Sequence, residues 1–209
     1  MGQYYKALLI GKHGKRYILE SWDYDNGSKL MEHSYINNSF MRAAASMLVD
    51  YPMKVAWIGD YSDDKYGDPY EQKMPHDKFM RHYKACWNNG SKPHYMPDAA
   101  EVAYVGLEEN WYLINHTQKL VIDLGKYYEQ NKWEETWTDY QTHEKRSSWY
   151  CVHPLSLLTA CGNDRGGGDY HSKYPDYSEV GTWAFDKLEY RHDKPEGYTE
   201  VMYSFKEED

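Results

Sequence analysis

Apolar and polar residues alternate from Gln3 to Ile10 and again from Arg16 to Trp22, with Gly11-Lys12-His13-Gly14-Lys15 between them. That period of two, broken by a glycine turn, predicts an opening β-hairpin. Asp23 to Ser28 carries turn chemistry, and Lys29 to Tyr35 reads as a third short strand. The period then changes. Phe40, Ala44, Met47 and Leu48 share one stripe of a helix over 40–49, with Ser39 as its N-cap and Pro52 as its stop. Met53 to Ile58 is a mostly apolar run that predicts a buried strand ending at Gly59-Asp60.

A second helix is expected from His76 to Trp87, with Pro75 near its first turn. Asn88 to Asp98 reads as a loop with two prolines. Trp111 to Asn115 and Leu120 to Leu124 form the clearest hairpin of the chain. Gly125 to Ser148 is polar and dotted with Trp133 and Trp137, without a clean period. Trp149 to Val152 reads as a short strand, before the apolar run Pro154 to Ala160 and a glycine-rich stretch. Val180 to Tyr190 and Tyr198 to Phe205 are the last candidate elements, the second alternating like a strand. The whole predicts one α+β domain over 1–209, with a mixed or mainly antiparallel sheet and two principal helices on one face. Lys206-Glu207-Glu208-Asp209 reads as a short, disordered acidic terminus.

Composition changes this picture in one respect. The apolar fraction is only 41%, yet the chain holds 23 Tyr, 8 Trp and 4 Phe. Such a core should be aromatic and should need many hydrogen bonds for its phenol and indole tips. The formal charge of −9 argues against nucleic acid or an anionic membrane as partner. The tightest basic groups, Lys12 to Arg16 and Lys145-Arg146, are too small for an electrostatic footprint. Three cysteines, Cys86, Cys151 and Cys161, without a Cys-x-x-Cys pair, suit neither a disulfide framework nor an all-Cys zinc site. Met1 to Trp22 lacks the apolar core of a secretory leader, and no run approaches the length of a membrane span. The expected compartment is the reducing cytoplasm.

Candidate chemistry centres on His153-Pro-Leu-Ser-Leu-Leu-Thr-Ala-Cys-Gly-Asn-Asp-Arg-Gly-Gly-Gly-Asp-Tyr170. Gly166, Gly167 and Gly168 can bring backbone N–H groups close to an anion, and Arg165 could add a bidentate contact. Asn163 and Tyr170 complete the candidate ligand set, with Asp164 and Asp169 facing hydroxyls. The stretch lacks the Gly-Lys-Ser/Thr ending of a phosphate loop and the spacing of a dinucleotide fingerprint. A tight corner where backbones cross is the alternative reading. Gly59 to Asp68 holds four carboxylates in the same way open to a divalent cation or to plain solvation, with Asp60 best placed to face a cleft. His153, Asp60 and Asp169 are the candidate acid, base or catalytic groups. The histidines show no zinc spacing, and no metal or cofactor is expected. Gly-Asp-Tyr occurs at 59–61 and at 168–170, by coincidence or by duplication of a strand–turn unit.

Met1-Gly-Gln-Tyr-Tyr-Lys6, Lys29-Leu-Met-Glu-His-Ser34, Trp57-Ile-Gly-Asp-Tyr61 and His153-Pro-Leu with Arg165-Gly-Gly-Gly-Asp-Tyr170 resemble uncharacterised proteins of gut bacteria and their phages, over most of the chain. The resemblance implies a source and no activity. Three functions are therefore expected. The first is a non-catalytic binding protein for a small anionic or nucleotide-like ligand. The alternatives are an enzyme on a phosphate- or sugar-bearing substrate, and a factor that binds a host protein. Oligomeric state stays open.

Overall fold

The computed structural model describes residues 1–64, 67–87, 111–171 and 179–205. The expected loop over 88–98, His94 and the acidic terminus 206–209 lie outside them. β1 (Tyr5–Ile10) and β2 (Arg16–Glu20) form the opening hairpin. A short helix, α1 (Leu30–His33), follows where a strand was expected. Leu30 and His33 are both buried, and that i, i+3 spacing puts them on one face of a helical turn, whereas a strand would send them to opposite faces. The Glu32 carboxylate settles the choice by accepting the Lys29 backbone N–H at 3.1 Å.

The next helix, α2 (Ser39–Ser46), is capped by Asn38 and not by Ser39. Asn38 Oδ1 accepts the Phe40 N–H at 3.0 Å, while the Ser39 hydroxyl donates to the Tyr24 carbonyl at 2.8 Å. β3 (Met53–Gly59) and α3 (His76–Trp87) stand where the pattern placed them. β4 (Tyr112–Asn115) and β5 (Leu120–Asp123) form the second hairpin. The stretch without a clean period resolves into α4 (Leu124–Asn131), β6 (Trp133–Thr138) and β7 (Lys145–Tyr150). β6 and β7 pair only with each other and are largely exposed on both faces, so no buried face imposes alternation on them. α5 (Pro154–Leu158), β8 (Ala160–Cys161), β9 (Lys187–Arg191) and β10 (Thr199–Glu200) complete the described elements. Beyond β10 the expected strand to Phe205 does not continue, because Asn131 takes up the backbone of Tyr203 and Phe205.

The main sheet runs β10-β5-β4-β9-β3-β1-β2, with β8 beside the second half of β3. Only β10–β5 and β8–β3 are parallel, so the sheet is mixed and mainly antiparallel, and the α+β class holds. The two principal helices lie on opposite faces, not on one. Ala7, Leu9, Val55 and Trp57 pack with Phe40 and Ala44 of α2, whereas Leu8, Ala56 and Ile58 pack with Phe79 and Tyr83 of α3. The near-continuous apolar runs of β1 and β3 carry that signal, since a strand covered on both faces has no polar side to alternate with. No helix among the described residues is long and apolar enough to cross a membrane.

The core is aromatic, and several of its polar tips are paired, although Trp111 Nε1 is buried with no hydrogen-bond partner among the described residues. Tyr127 donates to the Val152 carbonyl at 2.9 Å, and Trp183 Nε1 to the Tyr203 hydroxyl at 3.1 Å. Trp57 Nε1 donates to His33 Nε2 at 3.1 Å, so His33 carries its proton on Nδ1 and gives it to the Gly27 carbonyl at 2.9 Å. Burial holds this imidazole down at about 4, neutral at ordinary pH.

Candidate functional site

The glycine-rich stretch closes a seam against the N-terminal segment. Gly167 N–H donates to the Met1 carbonyl at 3.0 Å and Gln3 N–H to the Gly167 carbonyl at 3.1 Å. Met31 N–H donates to the Gly168 carbonyl at 3.0 Å. A Cβ on Gly166 would stand 2.5 Å from Gln3 Cβ, so glycine is needed for this close crossing. Gly168 has φ +87, and its position lies against the aliphatic stem of Lys29.

The donors that would make an anion nest are already used. Asp169 accepts the N–H of Arg165 at 2.8 Å, the N–H of Gly166 at 2.9 Å and the Tyr5 hydroxyl at 3.0 Å. The chain thus fills its own nest with its own carboxylate. Arg165 turns the other way. Its guanidinium donates to the carbonyls of Tyr61 and Asp64 and pairs with Asp68 at 2.7 Å, stapling the acidic segment to the seam. Asn163 and Tyr170 exchange two hydrogen bonds, at 3.0 and 2.9 Å, and the Tyr170 ring is buried.

Of the candidate catalytic groups, the fold brings Asp60 and Asp169 to either side of the same segment. Asp60 accepts the Tyr4 N–H at 3.0 Å. Burial, with the neighbouring Asp169 charge in support, raises its carboxyl above the usual range. His153 serves elsewhere: it caps α5, its Nδ1 accepting the Leu155 N–H at 3.1 Å, with Nε2 turned to the Tyr190 hydroxyl at 3.4 Å. Burial pushes it down to about 3. It shares no hydrogen-bond partner with Asp60 or Asp169 among the described residues. Of the two Gly-Asp-Tyr segments, only the first directly continues a strand of the main sheet. Among the described residues no group of three His, Cys, Asp or Glu side chains is arranged to hold a metal ion. All three cysteines are buried and none is in a disulfide, and burial raises the Cys86 thiol to about 12.

A second location has the features of a binding site. At the end of the sheet face covered by α3 lies a cleft of about 630 Å³, within the size range of small-molecule sites. Its lining includes Lys12, Arg16, Lys54, Lys78, Arg81 and Lys187, and no carboxylate among the described residues. Strand register explains the convergence. Ile10 lies opposite Arg16 on one side and Lys54 on the other, and Lys54 lies opposite Lys187. Directly opposed residues share a face, so one lateral row across four strands carries three cations. From α3, Lys78, Arg81 and His82 stand at i, i+3 and i+4, which is one helix face.

These charges are largely uncompensated. Lys54, Lys78 and Lys187 form no ion pair with a described residue, and Arg81 meets Asp77 only at 3.6 Å on exposed surface. Asp186, between Phe185 and Lys187 in sequence, gives its carboxylate to Lys73, Asn115 and Gln118 instead. The Arg16 Nε and His82 Nδ1 atoms are buried without a hydrogen-bond partner. Burial, and then the charges of Arg16, Lys78, Arg81 and Lys54, hold the His82 imidazole down at about 4. Apolar surface comes from Ile10, Pro52, Met74 and Phe185.

The charge pattern along the chain understates this region, because its cations come from five separate segments. Two local signals were present: the helical spacing of Lys78, Arg81 and His82, and Lys54 as the one charge inside an apolar strand. Comparison with protein-family models, with curated proteins and with solved structures finds no match to this chain.

Proposed function

We propose that this protein is a non-catalytic binding protein for a small, multiply anionic ligand, held in the cationic cleft between the β2-β1-β3-β9 row and α3. The observation that carries the reading is the row itself. Like charges directly opposite on neighbouring strands oppose folding, by up to about 1 kcal/mol per pair. A chain of net charge −9 that still places Lys54 against Lys187, and both across from α3 cations, keeps a cost that a bound anion would relieve. Among the described residues the cleft offers charge and apolar surface but no paired acid and base, which supports binding over turnover.

Replacing Lys54 and Lys187 together by glutamine tests this through two readouts of opposite sign. The ligand-free variant should melt at the same temperature as the parent or slightly higher, as the repulsion is gone. Its calorimetric affinity for pyrophosphate and for nucleotides should fall by about tenfold or more, since two charge-assisted contacts are lost. A parent protein that binds none of these anions would end the proposal.

One observation favours a second reading, a protein-binding arm. The β6–β7 hairpin presents Trp137, Tyr140 and Trp149 to solvent, while its base is fixed by the stacked rings of Trp133 and Tyr150 and by Tyr35. Exposed aromatic groups of this kind are enriched at contact surfaces. If the arm engages a partner, changing Trp137, Tyr140 and Trp149 to serine should abolish its capture from a bacterial lysate without lowering the melting temperature. Equal capture by the triple variant would remove this reading.

A further inference from the structure

We infer that the cleft takes a nucleoside polyphosphate, and takes it without a divalent cation. This rests on the anion-binding reading above and narrows it to one ligand class. Polyphosphates commonly enter protein sites with Mg²⁺, which the protein holds through one or two carboxylates. The cleft lining has none among the described residues and instead has six cationic side chains. A Mg²⁺ ion there would sit among like charges with no carboxylate ligand from the described residues. The side chains take its place: Arg16, Lys54 and Lys187 from the sheet and Lys78 and Arg81 from the helix can meet a chain of phosphates from two sides.

Charge alone would fit inorganic polyphosphate equally well, and the apolar part of the lining decides against it. Ile10, Pro52, Met74 and Phe185 give the cleft a wall that a purely ionic ligand would leave bare. Beside that wall lies the His82 ring, 5.4 Å from the Phe185 ring. It is 7% exposed, and its Nδ1 has no hydrogen-bond partner among the described residues. Because the surrounding cations and burial keep it neutral, it presents an aromatic ring with one donor and one acceptor nitrogen. A planar heteroaromatic base matches both features, covering apolar surface and pairing at its edge. The bounded volume, about 630 Å³, suits a single nucleotide better than a length of strand.

Titration calorimetry of the full chain at one ionic strength provides the test. The probes are ATP, GTP, CTP and UTP in EDTA, the best of these with excess Mg²⁺, sodium tripolyphosphate, the matching nucleoside, and a ten-residue single-stranded oligonucleotide. At least one nucleoside triphosphate should bind about tenfold or more tightly than tripolyphosphate and than its nucleoside. Mg²⁺ should weaken that binding several-fold, and K54Q/K187Q should lose about tenfold or more. Tripolyphosphate binding as tightly as every nucleotide would overturn the nucleoside assignment while leaving an anion cleft standing. Tighter binding with Mg²⁺ would overturn the metal-free assignment. An oligonucleotide that outcompetes all mononucleotides would make the partner a nucleic acid. If no anion binds, both this inference and the cleft reading fall together.

Discussion

Asp169→Ala should lower the unfolding free energy by about 3 kcal/mol or more, the effect of leaving three buried or half-buried donors without their acceptor. Those donors are the Tyr5 hydroxyl and the N–H groups of Arg165 and Gly166, all within 3.0 Å of the carboxylate. Tyr5 matters most, because its ring is 1% exposed and water cannot readily replace the lost partner. Asp169→Asn retains one oxygen acceptor and should lose roughly half as much. Urea unfolding followed by tryptophan fluorescence gives both values. A parent-like midpoint for Asp169→Ala would refute the self-filled nest and would return the glycine-rich stretch to the status of an open anion site.

Acid should destabilise the protein well before its carboxylates titrate in the ordinary range. His33, His82 and His153 are held at about 4, 4 and 3, against about 6.5 for a free imidazole. Their folded values are depressed, so between about pH 6.5 and 4 the unfolded chain binds protons that the folded one refuses. Stability is therefore complete above about 6.5 and is lost as pH falls. At pH 5 each ring contributes about 2 kcal/mol of loss, with His82 contributing less because cleft water and ions screen it. Asp68 works in the opposite sense. Burial raises its carboxyl to about 6 despite the Arg165 guanidinium, so its protonation favours the folded state over the same interval. Burial also raises the Asp60 and Asp169 carboxyls, which act in the same sense as Asp68, so the three rings leave a net loss at pH 5 that is smaller than their sum. Urea midpoints at pH 7.5, 6.5, 5.5 and 5.0 measure it. Midpoints that hold steady or rise on acidification would show that the rings are not buried as neutral species.

The parts of this fold that were legible in the sequence are those with one clear period and a covered face. Phe79, Tyr83 and Cys86 repeat along α3 at helical spacing, and Leu113, Val121 and Ile122 mark the second hairpin. Lys29 to Tyr35 was too short to show a period, and what makes it a helical turn is a local contact, the Glu32 carboxylate on the Lys29 N–H. The placement of α2 and α3 on opposite faces depends on which residues of β1 and β3 point which way, and an apolar run does not announce that. The glycine-rich stretch was visible as a place where backbones come close. What it approaches, Gln3 and Lys29, lies more than a hundred residues away in sequence, so the choice between ligand and self was not readable. The cationic cleft was least legible of all, because strand register, which no composition carries, sets Arg16, Lys54 and Lys187 side by side.

The position of β9 bears on how this chain can be made. It lies between β3 and β4 and joins the sheet's two halves, yet it is supplied by residues 187–191. During synthesis from the N-terminus, the β1–β2–β3 and β4–β5 pieces emerge first and must wait, with the start of β3 and the edge of β4 unpaired, for the strand that joins them. Unfinished chains stopping before Lys187 therefore display two apolar strand edges at once. They are the species from which aggregates should grow, until residues 187–191 are made and take their place between β3 and β4.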